Sequence, residues 1–173
     1  AKQMNFMGNK LFLKLSQRLE TYIMKNSWKA STVTEAFIKH INEVNGIKLD
    51  KITFLPNGAD TNFLKHKQPD EKLLSKWDIR NKKVFLYVGT HAFYHGLDVI
   101  IEAASLLKNN QEILFLMVGD GPERKRIIKK AKDLKLTNIK FKQSPYSEMG
   151  ELYSIAYASI ACLKNIKVAN QMR

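Results

Sequence analysis

The 173-residue sequence predicts an α/β protein: a Rossmann-like parallel sheet with helices on both faces. Three observations carry that prediction. Residues 84–88 (VFLYV) and 113–118 (ILFLMV) are unbroken apolar runs, the pattern of strands buried on both faces of a sheet. Amphipathic stretches of helical length alternate with these runs, as βαβ units require. The composition, 45% hydrophobic with only 8 Gly and 4 Pro, is that of a globular chain rather than a disordered or low-complexity one.

Element by element, the first helix is expected from about Asn9 to Asn26. Phe12, Leu15, Leu19, Tyr22 and Ile23 recur there at helical spacing, with Lys14, Arg18, Thr21 and Lys25 between them. Such a helix either packs on a core or lays a basic amphipathic face on lipid. A β-prone stretch, Ser31–Thr34, precedes a second helix from about Glu35 to Val44, which the Asn45-Gly46 pair stops. Ile52–Leu55 reads as a short strand broken by Pro56-Asn57-Gly58. Periodicity then disappears through ADTNFLKHKQP, which marks the best domain boundary in the chain. A short helix, about Asp70 to Trp77, leads into the second half.

There the expected order is strand 84–88, helix from about Tyr94 to Lys108, strand 113–118 and helix from about Pro122 to Lys135. A shorter strand Ile139–Phe141, a short helix Ser147–Ser154 and a strand Ala158–Leu163 follow. Leu97, Ile100, Ile101, Ala104 and Leu107 share one face of the first of these helices, opposite Asp98, Glu102 and Ser105. No internal repeat is visible.

The formal net charge of +13 is spread along the chain, with one concentration of seven Lys or Arg between Arg124 and Lys135. A spread excess argues against a dedicated nucleic-acid stripe. It suits a protein working near anionic phosphates or an anionic membrane surface. The basic helix keeps Ile127, Ile128, Ala131 and Leu134 on one face, and its charges are explained by a solvated outer face or by contact with anionic lipid. The single cysteine, Cys162, excludes an internal disulfide framework and sits as a small hydrophobe in an apolar strand. No window holds the ~18 uninterrupted apolar residues of a membrane span, and no signal peptide is visible, so a cytoplasmic setting is expected.

Ligands of doubly wound sheets bind beyond the carboxyl ends of the strands, so the loops there hold the candidate chemistry. After the first strand, Gly89 permits a sharp turn and close ligand approach. Thr90 offers a hydroxyl, His91 and His95 offer ring nitrogens, and the following helix start is a natural phosphate site. The two histidines bracket a loop without a HExxH glutamate, so no metal is expected. After the second strand come Gly119, Asp120, Gly121 and Pro122. Asp120 reads as a helix N-cap, Pro122 as a first-turn residue and Glu123 as a partner of the helix dipole. The loop does not match GxGxxG, so dinucleotide binding gains no support. After the third strand, Gln143, Ser144, Pro145 and Tyr146 either present backbone groups and a ring to a base, or serve only to cap the next helix through Ser147.

In order and spacing, ITFLPNGADTNFL, FLYVGTHAFYHGLDVIIEAASLL, ILFLMVGDGPERKRI and IKFKQSPYSEMGELYSIAYASIACL resemble family 4 glycosyltransferases, over roughly residues 20 to 165. The GTHxxxHGLD form resembles a bacterial surface-polysaccharide branch that includes N-acetylfucosamine transferases. The resemblance implies a retaining transferase of the two-domain GT-B fold. Residues 1–55 would end the acceptor-side domain, 56–66 would be the interdomain crossover, and 67–173 an incomplete donor-binding domain. It implies a nucleotide-sugar donor, UDP-linked, a glycan or lipid-linked acceptor, and no separate cofactor or nucleic acid. Gly89, Thr90, His91 and His95 would lie at the donor diphosphate. Gly119, Asp120, Gly121 and Pro122 would wall the nucleotide site, and Gln143–Tyr146 would meet the base. Many relatives carry Arg and Lys where this chain has Thr90 and His95. The glutamate pair that holds the donor in such enzymes is expected beyond Arg173, so these residues alone are expected to be inactive. The competing expectation is a noncatalytic basic module that binds nucleic acid or anionic membrane.

Overall fold

The computed structural model describes residues 10–65, 67–69 and 71–165. The expected helix starts at Asn9 and Asp70, and residues 166–173 of the expected donor domain, lie outside these. The described residues form two compact units, divided between Gly58 and Ala59. Lys164 and Asn165 group with the first.

The first unit contains α1 (Lys10–Asn26), β1 (Ala30–Thr32), α2 (Glu35–Asn45) and β2 (Ile52–Phe54), with β1 and β2 pairing in parallel. Thr34 caps α2 by accepting the Phe37 N–H. Gly46 ends the helix in the left-handed conformation, φ 65°, with its N–H on the Asn42 carbonyl, the geometry that favours glycine at a helix end. A core-packed α1 is not what the structure gives. No residue of α1 is buried, and Leu15, Leu19 and Ile23 are 63%, 57% and 57% exposed. Its periodicity produced the helix, but nothing among the described residues covers its apolar face.

The second unit is the doubly covered sheet. Its elements are α3 (Glu71–Lys76), β3 (Lys83–Val88), α4 (Asp98–Leu106), β4 (Ile113–Val118), α5 (Arg124–Asp133), β5 (Ile139–Lys142), α6 (Met149–Ser154) and β6 (Ala158–Ser159). All pairs are parallel and the strand order is β5-β4-β3-β6. Side chains alternate across the sheet. Val84, Leu86, Leu114, Leu116 and Val118 pack with Leu73, Trp77, Leu152 and Ile155. Tyr87, Phe115 and Met117 pack with Leu97, Ile100, Ile101, Ala104, Ile127 and Ala131 on the other face. Burial on both faces is the physical reason these strands carry no polar alternation.

Several boundaries differ from expectation, three of them next to the strand-end loops or Cys162. The helix expected from Tyr94 begins at Asp98, because Phe93–His95 form a 3-10 turn and Gly96, at φ 65°, breaks the helical path. The strand expected to reach Leu163 ends at Ser159, its last residue paired with β3, and the Ile160 N–H to Leu86 carbonyl bond is the last along that edge. Cys162 therefore lies outside a strand, partly buried, and burial raises its thiol pKa. The helix expected from Pro122 begins at Arg124, with Glu123 in the N-cap position.

The basic helix α5 is more than a solvated face. Arg126 grips Asp98 of α4 through two bonds of 2.9 and 2.7 Å, and Lys130 adds a third of 2.8 Å. The Arg126 guanidinium, with Lys130 beside it, holds the Asp98 carboxyl well below the usual carboxylate range. Two of the basic residues thus join α4 to α5 over the sheet. Leu134, expected on the packed face, is 43% exposed.

Candidate functional site

The chain runs outward from β3 to β4 to β5 and then returns to place β6 on the other side of β3. β3 is therefore the point at which the winding reverses, where doubly wound sheets leave a crevice beyond the strand ends. Each loop leaving the carboxyl edge of β3 and β4 contains a glycine with positive φ: Gly89 at 156°, Gly119 at 137° and Gly121 at 150°.

These glycines allow the two backbones to touch. A Cβ on Gly119 would lie 2.0 Å from the Gly89 carbonyl oxygen, and one on Gly121 would lie 2.7 Å from the His91 carbonyl oxygen. Hydrogen bonds close the seam: Gly89 N–H to Val118 O at 3.0 Å, His91 N–H to Asp120 O at 2.7 Å, and Glu123 N–H to His91 O at 2.9 Å. Beneath Gly89, the Tyr87 hydroxyl donates to the Thr90 carbonyl at 2.8 Å. Burial pushes that phenol well above its ordinary pKa.

The expected diphosphate group of residues divides in two. Gly89 and Thr90 sit at the loop surface, and the His95 ring stays partly exposed beside Tyr94, at 4.4 Å between centroids. His91 does not join them. Its side chain is completely buried, its N–H is already given to Asp120, and neither ring nitrogen has a hydrogen-bond partner. The expected helix start is also displaced, because α4 begins at Asp98 with that carboxylate in its first turn.

Burial, reinforced by the nearby Arg124 charge, pushes the His91 pKa below its ordinary value of 6.5. The folded ring then resists a proton that the unfolded chain accepts. Stability accordingly falls as pH drops below about 6.5, until the folded ring titrates as well. His91→Leu is expected to flatten the fall in unfolding midpoint between pH 7 and 5. An unchanged slope in urea titrations at the two pH values would contradict this assignment.

Asp120 is not the N-cap that its position suggests. Its Oδ1 accepts the Gly121 N–H at 2.7 Å and its Oδ2 accepts the Gln143 side-chain amide at 2.7 Å, while Glu123 occupies the cap position with no side-chain cap bond. Ser147 does not cap α6 either, since Glu148 holds that position. The Ser144 hydroxyl donates to the Glu148 carboxylate. Pro145 precedes a 3-10 turn at Tyr146–Glu148. Tyr146 is 68% exposed and stacks on Phe63, with centroids 5.1 Å apart and planes at 20°. The sequence reading missed this partner, which lies in the segment expected to be crossover; no local pattern links the two. Among the described residues, no group of three or more His, Cys, Asp or Glu is placed to hold a metal.

The fold is a doubly wound parallel α/β sheet whose strand-end loops after β3 and β4 meet at positive-φ glycines. Residues 69–167 match the model of the glycosyl transferases group 1, and the chain belongs to that family. It is 28% identical over 130 residues to WcaI of Escherichia coli K12, a protein named as a colanic acid biosynthesis glycosyl transferase; the match covers 73% of this chain and 31% of WcaI. The chain thus spans about a third of the length of that curated relative. A glycosyltransferase from Rickettsia africae superposes with a TM-score of 0.68 at 24% identity, over 84% of this chain and 40% of that one. Anabaena HepE, solved in complex with UDP-glucose, superposes with a TM-score of 0.73 at 15% identity, over 87% and 42%. These likenesses establish the fold as that of the GT-B glycosyltransferases.

Proposed function

We propose that the chain provides the nucleotide side of a glycosyltransferase that moves a sugar from a UDP-linked donor to a glycan or lipid-linked acceptor with retention. The observation that carries this reading is the glycine-lined seam at the carboxyl ends of β3 and β4, in a stretch matched to the glycosyl transferases group 1. That HepE was solved with UDP-glucose supports the choice of nucleotide. The GTHxxxHGLD spacing favours the surface-polysaccharide branch, N-acetylfucosamine transferases included.

In this proposal Gly89 lets the diphosphate approach the main chain, while Thr90 and His95 meet its charge, and the base lies against Gln143–Tyr146. Gly119, Asp120, Gly121 and Pro122 form the wall between. Residues up to 55 belong to the acceptor side, 56–66 cross over, and those from 67 onward belong to the donor side. The bond from the anomeric carbon to the phosphate oxygen breaks, the acceptor hydroxyl oxygen takes its place on the same face, and the hydroxyl proton goes to the departing phosphate oxygen. Negative charge grows on the departing diphosphate, where fixed donors act most strongly. The proposed chemistry uses no metal or separate cofactor.

Calorimetric titration with UDP tests the reading. Saturable binding that changes little between about 50 and about 200 mM salt is expected, whereas a nucleic-acid ligand would lose orders of magnitude over that range. Absence of UDP binding, together with steeply salt-dependent binding of an oligonucleotide, would overturn it in favour of the noncatalytic basic module.

The exposed apolar face of α1, flanked by Lys10, Lys14, Arg18 and Lys25, supports peripheral association with an anionic, cytoplasmic membrane face. Cosedimentation with phosphatidylglycerol vesicles, lost in the Leu15→Glu/Leu19→Glu variant, is the expected result. Equal sedimentation of both proteins would remove α1 from the contact.

A further inference from the structure

The base-side and diphosphate-side loops leave strands that are not neighbours. β4 lies between β5 and β3, so the loops start roughly 10 Å apart, two inter-strand spacings. A nucleoside diphosphate that touches both needs that gap held constant. Among the described residues, segment 119–123, which leaves β4, lies between them, and its bonds reach both ways. The Asp120 carboxylate takes the Gln143 amide at 2.7 Å. Its carbonyl takes the His91 N–H at 2.7 Å, and the Glu123 N–H returns to the His91 carbonyl at 2.9 Å. The Asp120 carboxylate is itself pinned by the Gly121 N–H at 2.7 Å, and Gly121 is where a side chain would collide with His91.

We propose that Asp120 is a positioning residue for the nucleotide: it fixes the base-side loop, through Gln143, at a set distance from the diphosphate-side loop, through His91. The proposal rests on the nucleotide reading above. Asp120 touches no reacting atom in this role, and its negative charge is not what the role requires. What matters is an acceptor for Gly121 together with a partner for Gln143. An asparagine meets both needs, because the Gln143 amide can turn over and accept from the asparagine amide.

UDP titration of the whole chain distinguishes this role from a general structural one. Asp120→Ala and Gln143→Ala are each expected to weaken UDP binding about fivefold, the scale of one hydrogen bond. Both side chains are exposed, so the variants retain the fold. The double variant is expected to be no weaker than the worse single one, since both changes break one bond. Asp120→Asn is expected to remain within about twofold of wild type.

Multiplying effects in the double variant, undiminished binding in the single ones, or an Asp120→Asn as weak as Asp120→Ala would each overturn the positioning role while leaving UDP binding itself intact. A wild-type chain that takes up no UDP would overturn the nucleotide reading, and this inference with it.

Discussion

Gly119→Ala is expected to cost the second unit about 3 kcal/mol or more of stability, the scale of a buried steric and backbone conflict. The added Cβ would stand 2.0 Å from the Gly89 carbonyl oxygen and 3.0 Å from its carbon. Both are backbone atoms, so no rotamer change relieves the clash. Relief requires the ends of β3 and β4 to part, which breaks the Gly89 N–H bond to Val118 O and strains the Gly119 N–H bond to Lys142 O. The φ of 137° at Gly119 adds conformational strain for any L side chain. Trp77, 4% exposed in the core of the second unit, reports unfolding in a Trp28→Phe background. Gly58→Ala provides the contrast: nothing lies within 4 Å of its Cβ, and its urea midpoint should match wild type. Equal midpoints for the two alanine variants would contradict the close approach of the loops.

Gly89→Val is expected to abolish measurable UDP binding, a loss of at least about tenfold, with a smaller loss of stability. Its Cβ alone would stand 3.3 Å from the Tyr87 hydroxyl, and the branch adds two methyls in a backbone with φ 156°. The Tyr87 bond to the Thr90 carbonyl is then displaced, and with it the turn that lets phosphate approach the main chain. UDP affinity equal to wild type in calorimetry would remove the diphosphate from this loop.

The sheet was legible in the sequence because its cause is local. Phe85, Leu86 and Tyr87, like Phe115, Leu116 and Met117, are apolar in succession, and only a strand covered on both faces needs that. The positions of the strand-end loops followed directly. Less legible was anything that depends on contact across the sheet. Asp120 has the residue type and place of an N-cap, yet Gln143, 23 residues away, and the Gly121 N–H claim its carboxylate. His91 carries a polar ring, yet the close approach of segment 119–123 buries it, and periodicity cannot reveal which of two histidines turns inward. The start of α4 moved because Gly96 adopts a left-handed conformation, and glycine is equally compatible with either path. The helix of α1 was predicted by its pattern; what its apolar face meets is a tertiary fact that the pattern does not contain.

The most direct test of the account is amide chemical-shift mapping of the ¹⁵N-labelled chain during UDP titration. The account predicts that the perturbations concentrate at Gly89–Thr90, Gly119–Gly121 and Gln143–Tyr146, all beyond the carboxyl ends of β3, β4 and β5. Perturbations confined to the opposite edge of the sheet, around Lys82, Gln111 and Asn138, or to the first unit, would contradict it.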